Sequence, residues 1–547
     1  MSLNLFSQQT VGLFNYQSST EEGYVLISPF FSTDTYLIDN CGRQINHWES
    51  EYFPAAATIL LENGHLLRTS GGGPATNPVF PFGGGGQHIQ EVDWDGVVVW
   101  EFTYSDSTHR MHHDFVRLPN GNILIPAWEL KTKSEAIEAG RDSTLIPDNV
   151  LWAEYLIEVN PTTDSIIWEW HLWDHLIQDY DSTKSNFGVV AEHPELFNIN
   201  NTGGPTINGE RNWLHINAIA YNSNLDQIIL NSFFLSEFFI IDHSTTLQEA
   251  ASPEGGNSGK GGDLLYRWGN PQNYDHGDQD DRKIFGAHNV QWIENGLEGE
   301  GKIMLFNNGN NRPDGSYSSV DIISPPLENS TSGLYTYTEG EAYMPEQKEW
   351  TYTATPPESF YSNFVSSAQR MSNGNTMICS GANGRFFEID ENKEIVWEYI
   401  SPVINTGIVS QGDTIPLMGG RKTNVVFRSP KYNIDFEGFD NLNLDPGDPL
   451  ELNFTEPYDC EIISSIDDIE NNTPILVYPN PANNTVHVEL NGYTGISLKV
   501  FNSIGKLYHI ESIGDKTSIN IDISLFETGL YFIQIDKTKV QALVIGQ

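Results

Sequence analysis

Three histidines of this 547-residue chain occupy one place in a repeated pattern: His113, His215 and His288 each stand seven residues before a turn asparagine, at Asn120, Asn222 and Asn295. The same step back from Asn63 and Asn373 lands on Ala56 and Ser366. Side chains alternate faces along a strand, so equivalent positions on strands repeated around one axis form a ring, here with three imidazoles at one mouth. Neutral imidazole is nucleophilic near pH 7, its unperturbed pKa being about 6.5. One histidine can therefore accept a transferred group covalently, while the others and nearby amides stabilise negative charge on the group in flight. A zinc site with three histidines and an open fourth position is the other chemistry this residue set supports. Ligands on three separate repeats span a wide ring, which suits a ligand larger than a metal ion, so no metal is assigned. A single histidine here would be read as satisfying a backbone group at a strand start; three in register favour a functional role.

The elements that must position them come from an internal repeat. Its outer half reads apolar, acidic or amide, turn, β-branched, then Trp-Glu: LIDNCGRQINHWE (37–49), EVDWDGVVVWE (91–101), EVNPTTDSIIWE (158–169) and EIDENKEIVWE (388–398), with looser copies ending at Trp268 and Trp350. Each copy leads into an inner hairpin such as HDFVRLPNGNILI or SSAQRMSNGNTMIC, where Asn-Gly between alternating apolar runs marks a tight turn. Five such hairpins are evident, and a sixth is assembled from NVVFRSPKY (424–432) with the strands around Tyr36 to Trp48. With 48 Gly, 28 Pro and 12% aromatic residues and no long helical pattern, the chain is expected to be all-β. The expected architecture is a six-bladed β-propeller over residues 1–445, with five or seven blades as alternatives. Residues 446–473, rich in Asp, Pro, Asn and Ser, read as a linker. Residues 474–547 alternate as short strands, a small immunoglobulin-like β-sandwich without a catalytic constellation.

Charge narrows the partners. Lys plus Arg number 28 against 73 Asp plus Glu, a formal charge of −45, so a polyanion is repelled and nucleic acid is excluded. An anionic small molecule must then meet a local positive or hydrogen-bonding site. Cys41, Cys379 and Cys460 are too few and too odd in number for a disulfide framework, though one bridge is possible. No run reaches the roughly 18 apolar residues of a spanning helix. The start MSLNLFSQQTVGLF has neither a basic region nor a long apolar centre, so an exported protein would lack its signal peptide here.

Beyond these readings the sequence resembles the bacterial aryl-sulfate sulfotransferases. The resemblance runs through HHDFVRLPNGNILI, WLHINAIAYNSNLDQIIL, FIIDHSTT, LLYRWGNPQNYDHG, FGAHNVQWI with LFNNG, and SSAQRMSNGNTMICSGANGRFFEI, over roughly Gly23 to Arg428. It implies a six-bladed propeller that moves a sulfuryl group from an aryl sulfate to a phenol through a sulfohistidine, with no cofactor and no nucleotide sulfate donor. His288 matches the family's nucleophile. His113 and His215 match the two histidines that bind the sulfuryl oxygens and assist the leaving and attacking phenols. His112, Asn217 and Asn308 lie beside them as candidate substrate contacts. The family's active-site Arg is replaced here by Phe233, which leaves Arg312 and Arg370 as candidate cations. The C-terminal module, through VYPNPANNTVHVE and GLYFIQI, resembles the type IX secretion sorting domain. That implies handling by the type IX machinery of a Gram-negative bacterium and a secreted or cell-surface location, with the periplasm as alternative.

Two further functions fit the same residues: a non-catalytic surface propeller binding glycans or sulfated aromatics, and a sulfatase-like or metal-dependent hydrolase. The glycine runs at 71–73 and 83–86 lack a phosphate loop's context and read as flexible loops. DHGDQDDR (275–282) departs from the helix-loop-helix calcium pattern and reads as a solvated acidic loop.

Overall fold

The computed structural model describes residues 9–72, 76–202, 211–329, 331–454, 460, 476–490, 497–502, 506–514, 516–526, 528–535 and 539–546. The chain divides into two compact units, Met1–Cys460 and Glu461–Gln547.

The first unit is built from six antiparallel sheets in chain order. Blade 1 runs outward from Pro54–Leu60 through Leu66–Ser70 and His88–Val92 to Val98–Thr103. Blade 2 spans His109–His171, blade 3 Ile216–Trp268 and blade 4 Ala287–Tyr352. Blade 5 contains Ser367–Arg370, Thr376–Ser380, Arg385–Ile389 and Ile395–Ile400. Blade 6 joins the two ends of the unit, with Lys431–Asn433 innermost, then Gly23–Ile27, Thr35–Asp39 and Gln44–Trp48. Closure is doubled, because Gly12–Tyr16 adds a fifth, outermost strand to blade 5. The sequence pattern did not reveal that second clasp.

The Trp of each Trp-Glu repeat explains why these sheets form a closed ring. Its ring is largely covered by the neighbouring blade, and its indole N–H needs an acceptor there. Trp48 of blade 6 donates to the Asp93 carbonyl of blade 1 at 2.9 Å, and Trp100 of blade 1 to Asp164 Oδ1 of blade 2 at 2.9 Å. Trp168 donates to the Thr245 carbonyl of blade 3, Trp268 to the Pro345 carbonyl of blade 4, and Trp397 of blade 5 to the Asn40 carbonyl of blade 6. At the remaining junction Arg370 of blade 5 lies over the Trp350 ring of blade 4. Between successive blades lie apolar clusters such as Leu156, Trp170 and Leu230, or Met304, Ile378 and Phe387. Each large side chain buried there contributes roughly 1.5–3 kcal/mol.

The segment read as a linker begins inside this unit. Gln44 donates to the Asp448 carbonyl, Leu450 to the Gly42 carbonyl and Leu452 to the Val409 carbonyl, and a Cys41–Cys460 disulfide fixes the end. Residues 461–473 lie outside the described residues. Cys379 is buried and unbridged.

The second unit stacks a three-stranded sheet (Leu476–Tyr478, Thr485–Glu489, Ser518–Asp522) and a four-stranded one (Leu507–Ser512, Ser497–Asn502, Gly529–Ile535, Lys539–Ile545). Alternate residues, among them Val486, Val488, Leu498, Val500, Ile521 and Ile533, share one apolar core, as a sandwich with two solvated outer faces requires. Among the described residues no helix is long and apolar enough to cross a membrane.

Candidate active site

The innermost strands of blades 2, 3 and 4 each begin with a backbone irregularity at the histidine. His113 and His215 hold φ of 54°, Asn289 beside His288 holds 50°, and the pairing slips at Ile216/Ala218 and at His288/Gln291. Such bulges re-aim a side chain away from the regular pleat, here towards the central channel. The His113 and His215 rings meet edge to face at 4.5 Å between centroids. Phe233 bridges His215 (5.9 Å) and His288 (5.3 Å), while Phe427, from the strand-forming segment of blade 6, bridges His113 (6.3 Å) and His288 (6.1 Å). Phe82 and Phe234 close over His215 at 5.2 and 5.0 Å. All three histidines are buried, at 5%, 8% and 4% exposure.

Each ring is held by a different partner. His288 Nδ1 lies 2.7 Å from Asn308 Oδ1, and the Asn308 amide is oriented by donating to the Ser362 and Val365 carbonyls at 2.6 and 2.9 Å. The proton of His288 therefore sits on Nδ1 and the lone pair on Nε2, which accepts the Val365 N–H at 3.2 Å. Val365 and Ser366 have φ of 51° and 90°, a strained conformation for the β-branched Val365, stored beside His288 Nε2. At His215 the polarity is opposite: Asn212 Nδ2 donates to Nδ1 at 2.8 Å, leaving Nε2 as the proton-bearing nitrogen.

Burial sets the charge state. Desolvation outweighs the raising effect of the Asn308 hydrogen bond and, with a smaller repulsion from Arg428, brings His288 down to about 4. Desolvation and mutual repulsion hold His113 and His215 well below the ordinary histidine value. At neutral pH the ring is three uncharged imidazoles facing an aromatic enclosure.

Of the other residues singled out from sequence, His112 is fully buried behind His113, stacked on Trp128 at 4.1 Å and bonded to Glu154 Oε2 at 2.8 Å. Asn217 is also buried, donating to the Ala287 carbonyl just before His288. Asn308 stands behind His288. Arg312 is held by the Tyr317 carbonyl and Ser319, and Arg370 by the Gly374 carbonyl and Thr376, each within its own blade. The glycine run at 83–86 is not a loose loop: Gly84 accepts the His113 N–H at 2.7 Å, Gly85 bridges to His112, and Arg110 clasps the Gly85 and Gly86 carbonyls. A Cβ on Gly84 would fall 2.0 Å from His113 Nε2, so only glycine leaves that nitrogen uncovered.

Sequence reasoning missed Glu154, Asn212, Phe82, Phe427 and Arg428. Arg428, just before the innermost strand of blade 6, pairs with buried Asp114 of blade 2 at 2.6 Å. The missed signal at Glu154 is a carboxylate inside the apolar strand VLWAEYLIEVN, where a charge is retained only with partners. Among the described residues no group of three His, Cys, Asp or Glu side chains could hold a metal ion.

Residues 15–411 match the profile of the family described as Arylsulfotransferase (ASST), and residues 476–545 match that of the Secretion system C-terminal sorting domain. No curated protein matches the sequence at a significant level. Similar solved structures include a protein of unknown function from Bacteroides caccae (11% identity, 75% of this chain and 99% of that one, TM-score 0.39). Virginiamycin B lyase from Staphylococcus aureus (10%, 73% and 90%, 0.29) and the WD40 domain of Toxoplasma gondii coronin (6%, 74% and 78%, 0.33) are others.

Proposed function

The chain belongs to the arylsulfotransferase family and carries a type IX sorting domain, and from that premise we propose that it moves a sulfuryl group from an aryl sulfate to a phenol through a sulfohistidine at His288. The observation that carries this reading is the tautomer of His288: Asn308 Oδ1 accepts a hydrogen bond from Nδ1–H and holds the proton there, so Nε2 is an unprotonated nucleophile at neutral pH. Nε2 attacks sulfur, the S–O bond breaks, and its electron pair leaves with the phenolate oxygen, which takes a proton from His113. In the second half-reaction the acceptor phenol gives its proton to His113, its oxygen attacks sulfur, and the N–S pair returns to Nε2. His215 Nε2–H donates to a sulfuryl oxygen. The Val365 N–H, displaced from Nε2 when the N–S bond forms, is a second donor at the same place. The phenyl rings around the site suit the aryl groups of both substrates.

In this reading residues 1–445 form the catalytic propeller, and residues 474–547 address it through the type IX machinery to the cell surface or the medium. The substitution at Phe233 favours a second reading, a propeller that binds sulfated aromatics or glycans without turnover. Incubating the protein with p-nitrophenyl sulfate, with and without added phenol, separates them. Acceptor-dependent nitrophenol release that His288→Asn abolishes supports transfer; binding without release overturns it in favour of the receptor, and release without acceptor identifies a hydrolase.

A further inference from the structure

Behind His113 stands a chain of three polar side chains that has one arrangement of protons while both imidazoles are uncharged, and a second once an extra proton is loaded. Glu154 is fully buried in blade 2, and its Oε1 accepts the Trp128 indole N–H at 3.1 Å and the Ile216 N–H at 2.9 Å. Its Oε2 lies 2.8 Å from His112 Nε2, and His112 Nδ1 lies 3.0 Å from His113 Nδ1. A carboxylate accepts only, so His112 carries its proton on Nε2 and presents a lone pair at Nδ1. His113 must then carry its proton on Nδ1, which leaves His113 Nε2 as a lone pair facing Gly84. The two ends differ in electrostatics. Charge on His113 is opposed by its burial and by His215, His112, His288 and Arg110, whereas His112 lies 2.8 Å from the Glu154 carboxylate.

We propose that Glu154 and His112 form a proton store behind His113, receiving the acceptor phenol's proton in one half-reaction and returning it to the donor's leaving oxygen in the next. The inference rests on the sulfuryl-transfer reading and adds two positioning residues to it. When a phenol O–H gives its proton to His113 Nε2, the Nδ1 proton of His113 passes to His112 Nδ1. The positive charge then rests on His112 beside Glu154. When the next aryl sulfate loses its S–O bond, His113 Nε2–H protonates the departing oxygen and recovers the proton at Nδ1 from His112. No proton is gained or lost over the cycle, and the enzyme enters each turnover with an acid already loaded. Without the store, the phenol leaves as a bare phenolate, which only acidic phenols do readily.

Leaving-group dependence tests this, because a merely structural role would slow all donors alike. Transfer to a fixed acceptor is measured with p-nitrophenyl sulfate and with phenyl sulfate for wild type, Glu154→Gln and His112→Gln, with folding checked by circular dichroism. In Glu154→Gln the amide oxygen keeps the Trp128 and Ile216 donors and the NH2 turns to His112, which reverses both tautomers: His113 Nε2 then has no lone pair for the acceptor's proton, and no carboxylate balances an extra proton on His112 that could replace one given up at Nε2. His112→Gln keeps a donor on Glu154 but cuts the link to His113. Both variants are expected to slow phenyl sulfate by roughly 10²–10⁴-fold, the usual worth of general acid catalysis, with only a severalfold loss on p-nitrophenyl sulfate. Equal losses on both donors, or none, overturn the store and leave the transfer reading standing. A steep dependence on leaving-group pKa in wild type overturns it without recourse to variants. A wild type that forms no sulfo-His288, read by mass spectrometry, removes the transfer reading and the store with it.

Discussion

Blades 2, 3 and 4 present His113, His215 and His288 at one position of their innermost strands, whereas blades 5, 6 and 1 present Ser366, Phe427 and Ala56 in the corresponding region. The two halves share four-stranded sheets whose outer strand sets a Trp against the next blade, so the difference is not one of scaffold. In the first half the buried polar side chains around the ring are arranged to set imidazole tautomers, through Glu154, Asn212 and Asn308. In the second half comparable buried polarity is spent on closure: Lys431 pairs with Glu388 in the core, and Ser366 bonds Ser362 and the Gly381 N–H. A ring of equivalent positions thus supplies chemistry on one side and, on the other, the shutter of Phe427 and the strained Val365 that cover His288.

The largest test of this division within the folded protein is Asn308→Ala. It frees the His288 Nδ1 proton to move to Nε2, removes the Asn308 donor from the Val365 carbonyl, and leaves the Ser362 carbonyl with Ser318 Oγ at 3.3 Å. Sulfuryl transfer is expected to fall by on the order of 10²-fold or more, as when a catalytic histidine loses its orienting partner. Stability should drop by about 1–3 kcal/mol for the unsatisfied groups. Arg370→Met, in the silent half, should leave kcat/KM within about twofold, because its guanidinium serves its own hairpin and the junction with Trp350 rather than the histidines. A large loss there with Asn308→Ala harmless would reverse the assignment of the two halves.

Acid sharpens the same contrast. His288 falls to about 4 from an ordinary value of 6.5, so the fold favours its neutral form. The stability this represents is complete above pH 6.5 and is lost as pH falls from there towards 4, on the order of 3 kcal/mol for this one group. Activity that needs the Nε2 lone pair should accordingly persist well below pH 6.5. The acid limb of kcat/KM is expected near 4 if the fold survives there. A limb at 6.5 would mean that His288 is solvated in the working enzyme and that the aromatic cover opens before substrate binds.

The blade repeat was legible because each Trp-Glu strand and Asn-Gly hairpin is a local pattern with its own physical cause, and the histidine register followed from counting along it. What stayed hidden depends on contacts between distant segments. Glu154 meets His112 across 42 residues, and Arg428 meets Asp114 across 314. Nothing local distinguishes the Gly84 that uncovers His113 from a glycine in a loose loop; its role is visible only once His113 Nε2 lies against it. The second clasp at Gly12–Tyr16 was hidden for the same reason, since GLFNY pairs with a strand almost 400 residues away and carries no turn to announce it.

The smallest effect concerns the closing half alone. Cys41, on the turn between two strands of blade 6, is bridged to Cys460 over a sequence separation of 419 residues, and this bridge ties the last residue of the propeller unit to its first clasp. A cross-link acts mainly by restricting the unfolded chain, typically by about 2–4 kcal/mol. Cys41→Ser should therefore lower Tm by about 2–4 °C for a unit of this size, given its large unfolding entropy. The histidines stand on other blades and are oriented by Glu154, Asn212 and Asn308, none of which touches the bridge. Transfer rates at 25 °C should accordingly match those of wild type. If the rate falls while Tm holds, closure and chemistry are coupled through Phe427, the one ring in the site that the closing segment supplies, and the division into a chemical half and a closing half fails at that residue.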